Sequence, residues 1–168
     1  LNSFDVIGFS LQHELSYSNV LTMLDLCGIP FLASERDDAF PLIIAGGPAC
    51  FNPEPVADIF DAMLIGDGEE AVIEICSTVR KAKKEGMKRD GLLKELKQIR
   101  GVYIPSFFRP CYSPEGSFDH MEPLDDSYRE VRKALVPDIE KYPFPDDQVV
   151  PFASLVHDRL SVEIARGC

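Results

Sequence analysis

The sequence predicts an α/β fold: a doubly wound, mostly parallel sheet followed by a short β-rich and proline-rich arm. Short apolar strand patterns alternate with amphipathic helical patterns up to about Gly101, which is typical of parallel strands joined by crossover helices. Hydrophobic residues make up 45% of the 168 residues, enough to form a packed core and to exclude global disorder. This length corresponds to one domain, or to one domain with a connecting arm.

Three segments of the first part have the composition of strands and end at turn residues. The first alternates apolar residues with small ones, and the other two are short apolar runs closed by glycines. They are Val6–Leu11, Leu42–Ala45 and Ala62–Ile65. We expect them to pair in parallel, with helices on both faces of the sheet.

Four segments show helical patterns. A helix that begins near Tyr17 has the apolar spacing of an amphipathic helix and is stopped by Gly28. The others are a short helix in residues 53–60, a long one over about Glu69–Glu85 and a shorter one over about Gly91–Ile99. The long helix is the most strongly marked, because acids crowd its first turn and basic residues its last, as the helix dipole favours. Its predicted apolar stripe is Val72, Ile75, Cys76 and Val79.

Beyond Gly101 the pattern changes to short strands around a Ser-Pro-Glu-Gly turn, and then to a stretch rich in proline and acids. We expect an ordered arm there, with one helical turn over Arg129–Leu135. The last stretch, SVEIARGC, alternates like a half-buried strand over Ser161–Ala165 and presents Cys168 just after it. The predicted domains are residues 1–101, 102–156 and 157–168.

Composition excludes several function classes. The chain has 28 acidic and 17 basic side chains and a net charge of -11, so nucleic acid is not an expected partner. Its five cysteines form no C-x-x-C pair, which argues against a disulfide framework or a self-contained zinc site. We expect Cys27 and Cys76 to be buried as small hydrophobic residues. With no signal peptide, membrane span or initiator methionine, the sequence is expected to be an internal piece of a longer cytoplasmic protein.

Ligands of doubly wound sheets bind beyond the carboxyl ends of the parallel strands, which places the candidate binding residues at three strand ends. Glycines at these ends allow tight turns and the close approach of a ligand. Neither G-x-G-x-x-G nor a phosphate-binding loop motif is present, so tight strand-to-helix turns are the alternative explanation. The candidates are Ser10, Leu11, Gly46, Gly47, Pro48 and Gly66.

The combination of Ser-Leu, Gly-Gly-Pro and G-D-G-E at successive strand ends resembles the cobalamin-binding fold. That family holds the nucleotide tail of the corrin between a serine and a Gly-Gly pair. The resemblance implies that Ser10 bonds to the tail, that Gly46 and Gly47 make room for it, and that further strands precede Leu1 in a flavodoxin-like sheet. The family's D-x-H-x-x-G motif, which carries the cobalt-ligating histidine, does not occur in this sequence. His13 lacks that setting and is expected in a surface loop.

The stretch VHDRLSVEIARGC resembles the entry to the radical S-adenosylmethionine (SAM) barrel. In that family the first barrel strand leads into C-x-x-x-C-x-x-C, whose thiolates hold a 4Fe-4S cluster. The resemblance implies that Cys168 is the first of these metal ligands. The segments FSLQHELSYSNVLTMLDLCGIP, IAGGPACFNPEP, IGDGEE and PSFF extend the resemblance to one bacterial subfamily of cobalamin-domain radical SAM proteins.

The leading hypothesis is the N-terminal region of a radical SAM iron–sulfur enzyme. The resemblance implies that the full-length protein cleaves SAM to a 5′-deoxyadenosyl radical, or transfers methyl groups through cobalamin. This fragment itself is expected to be inactive and to hold none of these cofactors tightly, with the barrel of the same chain as its partner. The alternatives are a non-catalytic, flavodoxin-like module that binds a nucleotide or a partner, and a response-regulator receiver. The presence of C-x-x-x-C-x-x-C downstream would decide between them.

Overall fold

The computed structural model describes residues 3–143 and 162–166. The chain forms two compact units, Leu1–Leu135 and Val136–Cys168. Within the second unit, Ile139–Lys141 form a 3-10 turn, and the Asp138 carboxylate accepts a hydrogen bond from the Glu140 N–H at 3.2 Å. The sequence predicts a strand over Ser161–Ala165, but the structure has none within residues 162–166. Ser161 lies outside the described residues.

The first unit is built on a four-stranded sheet in the order β1-β2-β3-β4. The strands are β1 (Val6–Ser10), β2 (Leu42–Gly46), β3 (Ala62–Leu64) and β4 (Val102–Tyr103). The first three strands pair in parallel, which confirms the prediction for these segments. β4 lies past the boundary predicted at residue 101 and pairs antiparallel with β3.

Helices cover both faces of this sheet. They are α1 (Tyr17–Leu26), α2 (Ala71–Glu85) and α3 (Arg89–Leu96). Because successive strand residues point to opposite faces, Ile43 is buried in a core with α1, while its neighbour Leu42 is buried in a core with α2 and α3. One sheet therefore separates two cores, and the predicted doubly wound α/β fold is confirmed.

The buried stripe of α2 differs from the predicted one. The residues that it buries are Ala71, Ile75, Val79 and Ala82. Val72 is 46% exposed and Cys76 is also exposed, so the prediction that Cys76 is buried is wrong. Ile75 and Val79 belong to both stripes, whereas Ala71 and Ala82 are buried in place of Val72 and Cys76.

A long-range cap moves the start of α3 to Arg89, two residues before the predicted Gly91. The backbone N–H of Arg89 donates to the Asp38 carboxylate at 2.7 Å. This carboxylate comes from a loop far away in the sequence and satisfies one of the N–H groups that a helix start leaves unpaired.

A hairpin follows the main sheet, as the short strand patterns predict. β5 (Phe108–Tyr112) pairs antiparallel with β6 (Phe118–Pro123), and the Gly116 N–H donates to the Ser113 carbonyl in the turn. The helical turn predicted over Arg129–Leu135 is wrong, because no helix forms there. Instead, Ala134 forms a parallel bridge with Gly66, so its backbone hydrogen bonds go to a distant segment.

Candidate functional site

The carboxyl edge of the sheet is where β1, β2 and β3 end, and the predicted binding residues of the described chain lie there. At the end of β1, Ser10 is the pairing partner of Gly46, and the Leu11 N–H donates to the Gly46 carbonyl at 2.7 Å. Ser10 is exposed, and its hydroxyl accepts a hydrogen bond from the Gln12 side-chain amide at 2.8 Å. The serine hydroxyl is therefore accessible from solvent and is oriented by a neighbouring side chain.

Gly47 brings the end of β2 into close contact with the chain that leaves β1. Its φ of 104° lies in the region that favours glycine, and a Cβ on it would lie 2.8 Å from the Leu11 carbonyl oxygen. The same oxygen accepts a hydrogen bond from the Ala49 N–H at 3.0 Å, within a 3-10 turn that Pro48 begins. The chain's own backbone fills the space that the absent side chain leaves.

Gly66 makes a second close approach, beyond the end of β3. Its φ is 109°, and a Cβ on it would lie 2.2 Å from the Ala134 carbonyl oxygen. That oxygen accepts from the Asp67 N–H at 3.0 Å, and the Ala134 N–H donates to the Ile65 carbonyl at 2.8 Å. Here too, the neighbour of the glycine is backbone of the same chain.

Residues 128–134, which we call the strap, bring Ala134 to this edge. The Tyr128 hydroxyl donates to the Val102 carbonyl at 2.5 Å and accepts from the Ile104 N–H at 3.2 Å. At the other end of the strap, the Lys133 carbonyl accepts from the Arg100 guanidinium at 3.0 Å. The strap is thus tied to both ends of β4.

The strap also contributes residues that sequence reasoning missed. The Lys133 ammonium lies 5.9 Å from the centroid of the Phe51 ring, and Phe51 is 60% exposed at the end of the turn after Pro48. Phe51 could have been noticed as an aromatic residue just after Gly46–Gly47. The sequence carries no signal that Lys133 and Ala134 lie at this edge, because the local pattern of their segment predicts a helical turn.

The structure brings five of the predicted residues together, namely Ser10, Leu11, Gly46, Gly47 and Pro48. Gly66 lies at the next strand end, where it pairs with the strap. Cys168 lies outside the described residues.

The contacts at this edge leave little room beside Gly47 for the cobalamin tail that the resemblance implies. Gly46 and Gly47 are the glycines expected to make room for it, and at Gly47 the Leu11 carbonyl oxygen lies 2.8 Å from the Cβ position. At Gly66, the next strand end, the Ala134 backbone lies within 3 Å of that position. Gly46 is less crowded, since a Cβ there would meet only Leu64 at 3.9 Å.

Metal ligation finds no support in the described part of the chain. Among residues 3–143 and 162–166, no group of three or more His, Cys, Asp and Glu side chains could hold a metal ion. Burial raises the pKa of the Cys50 thiol to about 11, so this cysteine stays protonated and inert. His13 is exposed, in agreement with its predicted surface position.

Two clefts lie at the opposite edge of the sheet, where the strands begin. They have volumes of about 400 and 470 Å³, and none of the predicted binding residues lines either of them. At the second cleft, the buried Asp61 carboxylate binds Arg36 at 3.3 Å and Arg89 at 2.8 Å. Burial lowers the pKa of the Arg36 guanidinium, and the charge of Asp61 opposes this shift. These contacts join loops of the fold and offer no reactive group.

No helix within residues 3–143 and 162–166 is long and apolar enough to span a bilayer.

Comparison with protein families matches residues 1–105 to the N-terminal region of radical SAM proteins. Neither the curated proteins nor the solved structures contain a match. The matched region covers the whole four-stranded sheet and well over half of the 168 residues. The chain therefore belongs to the radical SAM proteins, as part of their N-terminal region.

Proposed function

We propose that the full-length protein is a radical SAM enzyme that uses Cys168 as one thiolate ligand of a 4Fe-4S cluster and cleaves SAM. The observation that carries this proposal is the family match over residues 1–105, which include the complete sheet. The sequence around Cys168 adds support, because the cysteine directly follows a strand pattern, as the first cluster ligand does in this family.

The chemistry of the donor fits the implied group. A thiolate is a soft, anionic ligand of the kind that iron–sulfur clusters take. The cluster, when bound, supplies the electron that cleaves SAM. This chain contributes one of the required thiolates, so the 168-residue fragment has no activity of its own.

The first unit serves as a folded scaffold ahead of the barrel. Its two cores and the inert Cys50 thiol suit a structural role. The net charge of -11 of the 168-residue chain does not suit binding of nucleic acid. Cobalamin is left out of the proposed reaction, because Gly47 and Gly66 face the chain's own backbone.

Anaerobic reconstitution of the full-length protein with iron and sulfide tests the proposal. Wild type should turn brown, and with a reductant it should release 5′-deoxyadenosine from SAM. Cys168→Ala should lose most of the bound iron and sulfide and this activity, because fewer than three thiolates hold the cluster poorly. Cys76→Ala is the matched control, since Cys76 is an exposed cysteine of α2 and its loss should change neither.

Two results would contradict the assignment. Normal iron and sulfide in Cys168→Ala would show that another residue ligates the cluster. A colourless wild-type protein that leaves SAM intact would instead favour the alternative, a non-catalytic module that binds a nucleotide or a partner.

A further inference from the structure

We infer that the strap, residues 128–134, is the resident occupant of the carboxyl edge beside β3, and that this domain takes no corrin tail there. The inference is independent of the iron–sulfur cluster. It concerns only the edge at which a doubly wound sheet usually binds its ligand.

The strap pairs with the chain beyond β3 in the way that a parallel strand would. The Ala134 N–H donates to the Ile65 carbonyl, and the Ala134 carbonyl accepts from the Asp67 N–H, at 2.8 and 3.0 Å. Ala134 is 7% exposed. A ligand that entered here would have to break two backbone hydrogen bonds and leave their partners unsatisfied, which is costly in a buried setting.

The strap and the segment after β3 pack so closely that residue 66 has to be a glycine. The Cβ position of Gly66 lies 2.2 Å from the Ala134 carbonyl oxygen and 2.7 Å from its nitrogen. A Cβ on the neighbouring Gly101 would also lie 2.7 Å from the Ala134 side chain. Both glycines admit the strap, so no external ligand is needed to explain them.

The strap is anchored on both sides of this contact. Val131 packs against both cores, and Tyr128 is 7% exposed and hydrogen-bonded to the backbone on each side of Tyr103. Lys133, the residue before Ala134, places its ammonium group over the Phe51 ring near the end of β2. Opening the edge would therefore disturb the cores as well as two hydrogen bonds.

Hydrogen–deuterium exchange on the full-length protein tests the pairing. The Asp67 amide should exchange as slowly as amides of the sheet. Ala134→Pro removes the N–H that bonds to Ile65, and it should speed exchange at Asp67 by about tenfold or more. Ala134→Gly keeps that N–H and is the control, so exchange at Asp67 should stay within about threefold of wild type.

Gel filtration after incubation with hydroxocobalamin tests the exclusion, with bound corrin measured by visible absorbance. Wild type should retain less than about 0.1 corrin per chain, far below the full occupancy of a specific site. Retention near one corrin per chain would overturn the inference. So would exchange of the wild-type Asp67 amide at the rate of an exposed loop. Both decisive measurements use wild type, so they stand even if Ala134→Pro does not fold.

Discussion

The buried Asp61 carboxylate should be one of the most sensitive positions of the fold, and Asp61→Asn removes its charge with little change of shape. One carboxylate oxygen accepts from Arg89 at 2.8 Å, and the other accepts from Arg36 at 3.3 Å and from the Ile43 N–H at 2.8 Å. The side chains of Arg36 and Asp61 are 0% and 2% exposed. Asparagine would leave two guanidinium groups beside a neutral amide.

The expected loss follows from burial. Removing one partner of a buried ion pair costs about 3–5 kcal/mol, because the remaining charge is left uncompensated. The low end applies here, since Arg36 keeps three hydrogen bonds to the carbonyls of Pro30, Phe31 and Ile59. We therefore expect a loss of about 3 kcal/mol, a large fraction of a typical domain stability of about 5–15 kcal/mol.

Urea unfolding followed by circular dichroism measures this loss. With a slope of about 2 kcal/mol/M, a loss of 3 kcal/mol corresponds to a midpoint lowered by about 1.5 M. Asp5→Asn is the control, because Asp5 pairs with Lys83 on the surface with side chains 55% and 67% exposed. Surface pairs of this kind contribute at most about 1 kcal/mol.

A midpoint for Asp61→Asn that matches that of Asp5→Asn would refute the reasoning. It would mean that the arginines are satisfied by the backbone carbonyls alone. An unchanged midpoint with an altered slope would instead point to a change in how much surface unfolding exposes.

Three further predictions concern single residues. Gly66→Ala should lower the free energy of unfolding by about 1–3 kcal/mol from backbone strain alone, and the clash with the strap should lower it further. Gly68→Ala is the control and should change this free energy little. Urea midpoints of the two variants test the difference. Cys50, whose pKa is about 11, should resist iodoacetamide at about pH 8 while exposed Cys76 reacts, as peptide mass spectrometry would show; equal labelling would mean that the Cys50 region opens readily. Burial raises the pKa of Tyr128 to about 12, so its neutral form stabilises the fold below about pH 10, and this contribution is lost as the pH rises through 12. Tyr128→Phe should flatten the loss of stability between about pH 10 and pH 12, and an unchanged pH profile would contradict this assignment.

The sequence was informative where structure is local. The strands β1, β2 and β3 were identifiable because each is a short apolar run that ends at a polar or glycine turn, and their alternation with helices implied parallel pairing. The sequence did not predict features that depend on a contact with a residue far away in the chain. α3 begins at Arg89 because of Asp38, a cap from another loop that no local pattern indicates.

The same limit explains the wrong helical turn over Arg129–Leu135. A local pattern there suggested a helix, but Tyr128, Val131 and Ala134 each find partners on or beside the sheet. Tertiary contacts override a weak local preference in a segment this short, since a single helical turn is costly to nucleate.

The candidate site shows why glycines at strand ends are ambiguous evidence for a ligand. A glycine at a strand end indicates either a tight turn or the close approach of another group to the backbone, and the sequence does not say which group approaches. At Gly47 it is the carbonyl of Leu11, and at Gly66 it is the carbonyl of Ala134. Ser10, by contrast, keeps an exposed hydroxyl. The glycines in this resemblance are therefore explained by packing within the fold. Ser10 is the better position at which to look for a bound molecule.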